Sequence, residues 1–209
     1  MAQTDGIENT NRILNDISAI RDEFYSSNPK NIFFTSSQKK ECADYVSSKI
    51  SLESLIQGTI YLIQPNLIFV DYTLLKQYAC DTNYHIVLTY LFDQIHRVLE
   101  QNTDYELHIN FQGFSVSAVE RHKDFIKLFY KTFFQDGTNY LSQLKMIYIY
   151  YVPSMMSTIV SILSKYMKEI VGQKITIRDK VVMISKEESP EKLSKLYACR
   201  FVESNHKCA

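Results

Sequence analysis

The chain has no tryptophan, only five glycines and four prolines, and no net charge. Lysine plus arginine and aspartate plus glutamate number 23 each, so no overall field draws the chain to nucleic acid. Four cysteines, at 42, 80, 199 and 208, include no Cys-x-x-Cys pair, which removes a zinc or thioredoxin-like signal. No cluster of Cys, His, Asp or Glu has metal-ligand spacing, and no glycine-rich phosphate loop is present. Neither a metal nor a cofactor is therefore expected. The longest apolar runs, near 67–70 and 146–153, fall far short of the about 20 residues that span a bilayer. Met1 to Gly6 is too polar for the apolar core of a signal peptide. A cytoplasmic protein with reduced cysteines is the expectation.

What the chain does contain is ordinary globular composition, with 45% apolar and 22% charged residues. Its 209 residues suit one domain with a small helical appendage, burying roughly 70% of the unfolded surface. Fifteen tyrosines form a bias without a functional reading at this level. Ile7, Leu14, Ile17, Ile20 and Phe24 keep helical spacing until Asn28-Pro29 breaks it. A second helix is expected after Ser36-Ser37, with Cys42, Tyr45, Val46 and Ile50 on its buried side. Gly58 then reads as a turn into Thr59–Ile63, a β-rich run halted by Pro65. Helices follow at Thr73–Ala79 and Asn83–Gln101, the latter with a Val87, Leu91, Ile95, Val98, Leu99 stripe.

Residues Tyr105–Ile177 carry the densest pattern. Short strands at Glu106–Asn110 and Lys174–Ile177 flank an apolar strand, Leu144–Val152, that Pro153 stops. Helical patterns separate the three, so the order is that of parallel βαβ units. Between Ser117 and Phe134, two aromatic rows run four apart: Phe125, Phe129, Phe133 and Ile126, Tyr130, Phe134. From Ser154 to Ile170, Met155, Ile159, Leu163 and Met167 step along one side of a serine- and lysine-interleaved helix. Two readings stay open. Both helices cover a sheet with Met filling gaps, or they wall an apolar ligand cavity.

Five segments carry a family resemblance. They are Gly58–Leu62, Asn110–Ser115, Tyr140–Leu144, Tyr151-Val152-Pro153 and Lys174-Ile175. In this order the chain resembles the CRAL-TRIO lipid-binding domain, the fold of phosphatidylinositol/phosphatidylcholine transfer proteins and of tocopherol and retinaldehyde carriers. The resemblance implies an α/β fold: a mainly parallel sheet flanked by helices, with an apolar pocket under a gate-like helix. It divides the chain into a helical segment at 1–57, a lipid-binding domain at 58–186, and a short C-terminal helix and tail at 187–209. The gate maps onto the 154–170 helix, with Pro153 and Gly172 as hinges. Lys174 is the headgroup candidate by resemblance, with a solvated strand-edge lysine as the alternative. The chain departs from the family pattern at Asn110, Ser142, Tyr151 and Val171; at Ser142 a carboxylate of the headgroup site is lost.

The implied function is non-enzymatic binding or transfer of a phospholipid, phosphoinositide or other lipid. Its steps would be transient contact with a membrane surface, opening of the 154–170 helix, and chain capture. Phe125, Phe129, Phe133, Met155, Ile159, Leu163 and Met167 would form the apolar wall. Two alternatives accompany it. A protein that keeps the fold without a ligand would serve as a protein-interaction or assembly module. A serine hydrolase would use Ser115, because Gly113-Phe114-Ser115 opens a helix after a strand as a nucleophile elbow does. The elbow's second glycine is missing, however, and Ser117 in its place begins a Ser-Ala-Val-Glu capping box.

Overall fold

Three helices precede the sheet. They are α1 (Asp5–Ser27), α2 (Thr35–Lys49) and α3 (Leu52–Thr59). The structure is a computed structural model that describes residues 5–29, 35–135, 137–171 and 178–202. Ile17 of α1 and Val46 of α2 enter the main core as the spacing predicts, and Ile13, outside the expected stripe, joins them while Leu14 and Ile20 are only partly buried. Gly58 is not a turn. It lies in the last turn of α3, where an added Cβ would stand 3.1 Å from Leu74 and 3.7 Å from Ile13. Close helix packing, rather than chain reversal, is what requires glycine there.

The sheet opens with β1 (Ile60–Gln64) and β2 (Leu67–Asp71), an antiparallel pair closed by Pro65-Asn66. Asp71 ends β2 and accepts the Thr73 N–H at 2.8 Å, starting α4 (Tyr72–Tyr78). After α5 (Tyr84–Gln101) the chain enters β3 (Tyr105–Asn110), which lies parallel to β2. Next come α6 (Val116–Arg121), α7 (Lys123–Phe133) and the single turn α8 (Tyr140–Gln143). They lead to β4 (Leu144–Tyr150), parallel to β3. Helix α9 (Met156–Val171), β5 (Val181–Met183) and α10 (Ser189–Val202) complete the described chain. The strand order is β1-β2-β3-β4-β5.

Parallel strands laid down in sequence order, joined by crossovers of one hand, receive all their helices on one face. The main core lies on that face. Ile68, Leu107 and Leu144 of the sheet meet Leu74 and Leu75 of α4 and Val87, Leu91, Ile95 and Val98 of α5. The alternate residues turn the other way, as a period of two demands. Leu67, Phe69 and Tyr150 pack there with Leu193 of α10.

Two local expectations are corrected. The helical pattern from Ser117 to Phe134 is interrupted at His122, which ends α6 and precedes α7. The N-cap of α6 is Ser115, whose Oγ accepts the Ala118 N–H at 3.3 Å; Ser117 is inside the helix, so the expected capping box does not form. His122 is buried at the break. Arg121 Nε donates to its Nε2 at 3.1 Å, so the proton must sit on Nδ1, 3.0 Å from Tyr84 Oη.

Ser189 joins α10 to the exit of β4. It is fully buried, and its Oγ accepts the Tyr151 N–H at 2.7 Å. Ser189→Ala should cost about 1–3 kcal/mol by orphaning that donor, measured as a lower urea midpoint. An unchanged midpoint would show that the link carries no stability. A second expectation concerns pH. Burial, then the neighbouring Arg121, pushes His122 down from 6.5 to about 3. The unfolded chain protonates this histidine near its ordinary value while the folded chain resists, so stability should fall as pH drops from about 6.5 towards 3. His108, also lowered by burial, contributes in the same direction. The slope for one proton is at most roughly 1.4 kcal/mol per pH unit. His122→Gln should flatten the acid limb of a stability–pH curve, whatever its effect at neutral pH.

Candidate functional site

Helix α9 lies against α6 and α7, and its apolar side forms a small cluster of its own. Ile159 and Tyr166 are buried there with Val119, and Ile126, Tyr130, Met156 and Leu163 pack around them. Phe114 borders both this cluster and the main core. The rim is polar. Tyr166 Oη donates to Glu120 Oε1 at 3.1 Å, and its ring lies 5.2 Å from the Lys127 ammonium. Lys127 also reaches Glu169 at 2.9 Å, and that hydrogen bond holds the Glu169 carboxyl below the ordinary carboxylate range. Burial pushes Tyr130 up to about 12, so the phenol stays protonated.

The chain enters α9 through an unusual backbone. Tyr151 has φ = +54°, a left-handed conformation costing a non-glycine residue roughly 1–2 kcal/mol. Pro153 follows it and is buried, while Met155 in the turn is 55% exposed.

Five of the seven apolar candidates divide between two clusters, and Met155 and Met167 belong to neither. Phe125 stands edge-on to Tyr84 at 5.3 Å, and Phe129 stacks on Phe92 and Phe133 at 5.9 and 5.1 Å. These three phenylalanines belong to the main core. Ile159 and Leu163 belong to the α9 cluster, Met167 is half-buried, and Met155 faces solvent. Helix α7 thus carries its phenylalanine row towards α5, and Ile126 and Tyr130 of the second row towards α9, while Phe134, just past the helix, packs against the main core. Gly172, Lys174 and the expected Lys174–Ile177 strand lie outside the described residues. Ser142 Oγ donates within its own turn, to Asn139 O at 2.9 Å.

Ser115 has no base beside it. Its Oγ caps α6 and meets Ser117 Oγ at 3.0 Å. His122 and His108 are each seven residues from Ser115; the first uses its ring nitrogens on Tyr84 and Arg121, the second on Tyr150 and Glu106. The arrangement lacks the nucleophile–base contact that acyl transfer needs.

A cleft of about 410 Å³ opens between α1, α2, α4 and the loop from β3 to α6. Arg21, Lys39, Lys76 and Arg121 line it, together with Tyr72 and Gly113. Sequence spacing carries no hint of it, because the four cations come from four different elements.

A family model described as CRAL/TRIO domain matches residues 59–198. No curated protein and no solved structure matches the chain. Among the described residues, no helix is long and apolar enough to cross a membrane. Domains of the matched family bind lipids and other small hydrophobic molecules. The match spans well over half of the 209 residues, and the five-stranded, mostly parallel sheet with its flanking helices agrees with it. The chain belongs to the CRAL/TRIO domain family.

Proposed function

We propose that the chain binds a lipid in an apolar site beneath α9 and exchanges it, without chemistry, by displacement of that helix. The carrying observation is the separateness of the α9 cluster: Val119, Ile159 and Tyr166 form a core of their own beside the main one. Lifting α9 would uncover that small core while the sheet and α5 stay packed, which is what a gate requires. Tyr151 and Pro153 supply a backbone step at one end of the helix. Gly172 is the proposed partner hinge at the other, with Lys174 beyond it as the proposed headgroup contact.

In this reading Ile159 and Leu163 exchange contacts with Ile126 and Tyr130 for contacts with an acyl or prenyl chain, which half-buried Met167 also meets. Phe125, Phe129 and Phe133 back the site from the far side of α7, and exposed Met155 meets the membrane surface. Burial of the lipid chain supplies about 0.8 kcal/mol per CH₂. That is enough to replace the side-chain packing given up.

A second reading has its own support. The phenylalanine row of α7 is already filled by Phe92, Tyr84 and Tyr140, as in a ligand-free module that uses its surface to bind protein partners.

The test is transfer of a fluorescent phospholipid between vesicles, with native mass spectrometry of the purified protein. Tyr166→Phe with Glu169→Gln removes two rim contacts and should loosen the α9 seat, chiefly through the buried tyrosine. Lipid release should then accelerate roughly tenfold, with little change in melting temperature. Absence of any co-purifying lipid and of any transfer would reject the carrier and favour the interaction module.

A further inference from the structure

We propose that the cleft between the N-terminal helices and the β3–α6 loop is a phosphate-binding site, separate from the apolar site beneath α9. Four cations converge there from four elements: Arg21 of α1, Lys39 of α2, Lys76 of α4 and Arg121 of α6. No acidic side chain is among the described residues of the lining. Among the described residues none of the four has an ion-pair partner, whereas Lys40, Lys127, Lys145, Lys192 and Lys195 each have a carboxylate partner within 4.0 Å. A neutral chain has therefore placed part of its unpaired positive charge in one concavity.

One carboxylate, Asp71, offsets part of this charge at Lys76. Asp71 acts on Lys76 electrostatically, but its Oδ1 is engaged by Thr73 N, Thr73 Oγ1 and Asn110 Nδ2. The two guanidinium groups are held by neutral acceptors instead. Arg21 Nη1 donates to Gln77 Oε1 at 2.7 Å. Arg121 donates to Tyr72 Oη at 3.2 Å and to His122 Nε2 at 3.1 Å. Each contact fixes the planar group while leaving further N–H donors in its fork for an anion.

Lys76 is seated between the Tyr72 ring, 5.8 Å from its ammonium, and the backbone of Gly113. Gly113 has φ = +78°, and an added Cβ would lie 3.0 Å from Lys76 Nζ. Burial opposes protonation of this lysine, Asp71 favours it to a lesser degree, and the charges of Arg121 and then Arg21 oppose it further. Four like charges in one cleft exceed what Asp71 offsets, so an added anion relieves their repulsion, and a phosphate accepts hydrogen bonds on three or more oxygens.

The volume identifies what carries the phosphate. At about 410 Å³ the cleft falls in the range of small-molecule pockets, roughly 300–1,000 Å³, and exceeds the need of a bare anion. Ser36, Ser117 and Gln77 line the remaining wall, which suits a polar, hydroxyl-bearing body rather than an acyl chain. The ligand class is thus a phosphomonoester on a small polar molecule or on a lipid headgroup.

The experiment titrates the intact protein with inorganic phosphate, with glycerol 3-phosphate, and with phosphatidylcholine vesicles lacking or containing phosphatidic acid. Each is matched in ionic strength with sodium chloride. Thermal shift and calorimetry should show saturable binding of glycerol 3-phosphate if the carrier is soluble. Binding confined to vesicles containing phosphatidic acid would assign the site to a headgroup. In either case Arg21→Gln with Lys76→Met should weaken binding at least tenfold, and its melting temperature without phosphate should stay level or rise as repulsion is relieved. Lys39→Gln, at an exposed position, should weaken binding several-fold and serves if the double variant does not fold. Lys145→Gln, paired with Glu106 away from the cleft, should leave binding unchanged. Equal responses to phosphate and to matched chloride, or undiminished binding in the cleft variants, would overturn the proposal.

Discussion

The order of the strands constrains everything else in this molecule. From β2 onward each strand is parallel to the one before it and adjacent in space. A single crossover hand then places every crossover helix on the same face. That face gathers the main core, and each later crossover lies further along the sheet. Helix α9, the last of them, seats on α6 and α7 and forms a cluster of its own. The opposite face, left without crossovers, is closed by α10 through Leu193, Leu196 and Tyr197. The separateness of the α9 cluster and the continuity of the main core both follow from this one topological rule.

Tyrosine solves a problem that this arrangement creates. Helices and strands packed from both sides must bury polar tips as well as rings, and a phenol brings apolar area with its own hydrogen-bonding group. Tyr78 Oη donates to Thr59 Oγ1, and Tyr105 Oη to the Tyr140 carbonyl, at 3.0 and 2.9 Å. Tyr84 and Tyr150 pair with His122 and His108 at 3.0 and 2.8 Å. Among the described residues no buried side-chain nitrogen or oxygen lacks a partner. The compositional bias that has no functional reading in the sequence is a packing device. It also holds Arg121 in place through Tyr72 and His122.

Elements with a strong period were legible, and those decided by competition were not. The α5 stripe, the Pro153-stopped strand and the Met-rich helix all fall where their apolar spacing predicts, since three or more turns or a long apolar run leave little ambiguity. Residues 67–70, a run too short to distinguish strand from buried helix, became β2 through pairing with β1 and β3. His122 breaks a continuous helical pattern at a buried position where its ring bonds Tyr84 and Arg121. Ser115 took the cap over Ser117 because the chain is still extended at Ser115. At Gly58, proximity to Leu74 and Ile13 mattered more than turn propensity.

By itself the sequence determined the alternation of strands and helices, the family resemblance and the two aromatic rows of α7, because these are properties of residue order within a few turns. It did not determine that those rows face different neighbours, since one helix has two sides and only packing assigns them. Nor did it determine the cationic cleft. Arg21, Lys39, Lys76 and Arg121 lie far apart in a chain whose charges cancel, and only tertiary structure brings them to one concavity. Charge balance is a sum over the whole chain, but electrostatic potential depends on where the charges stand.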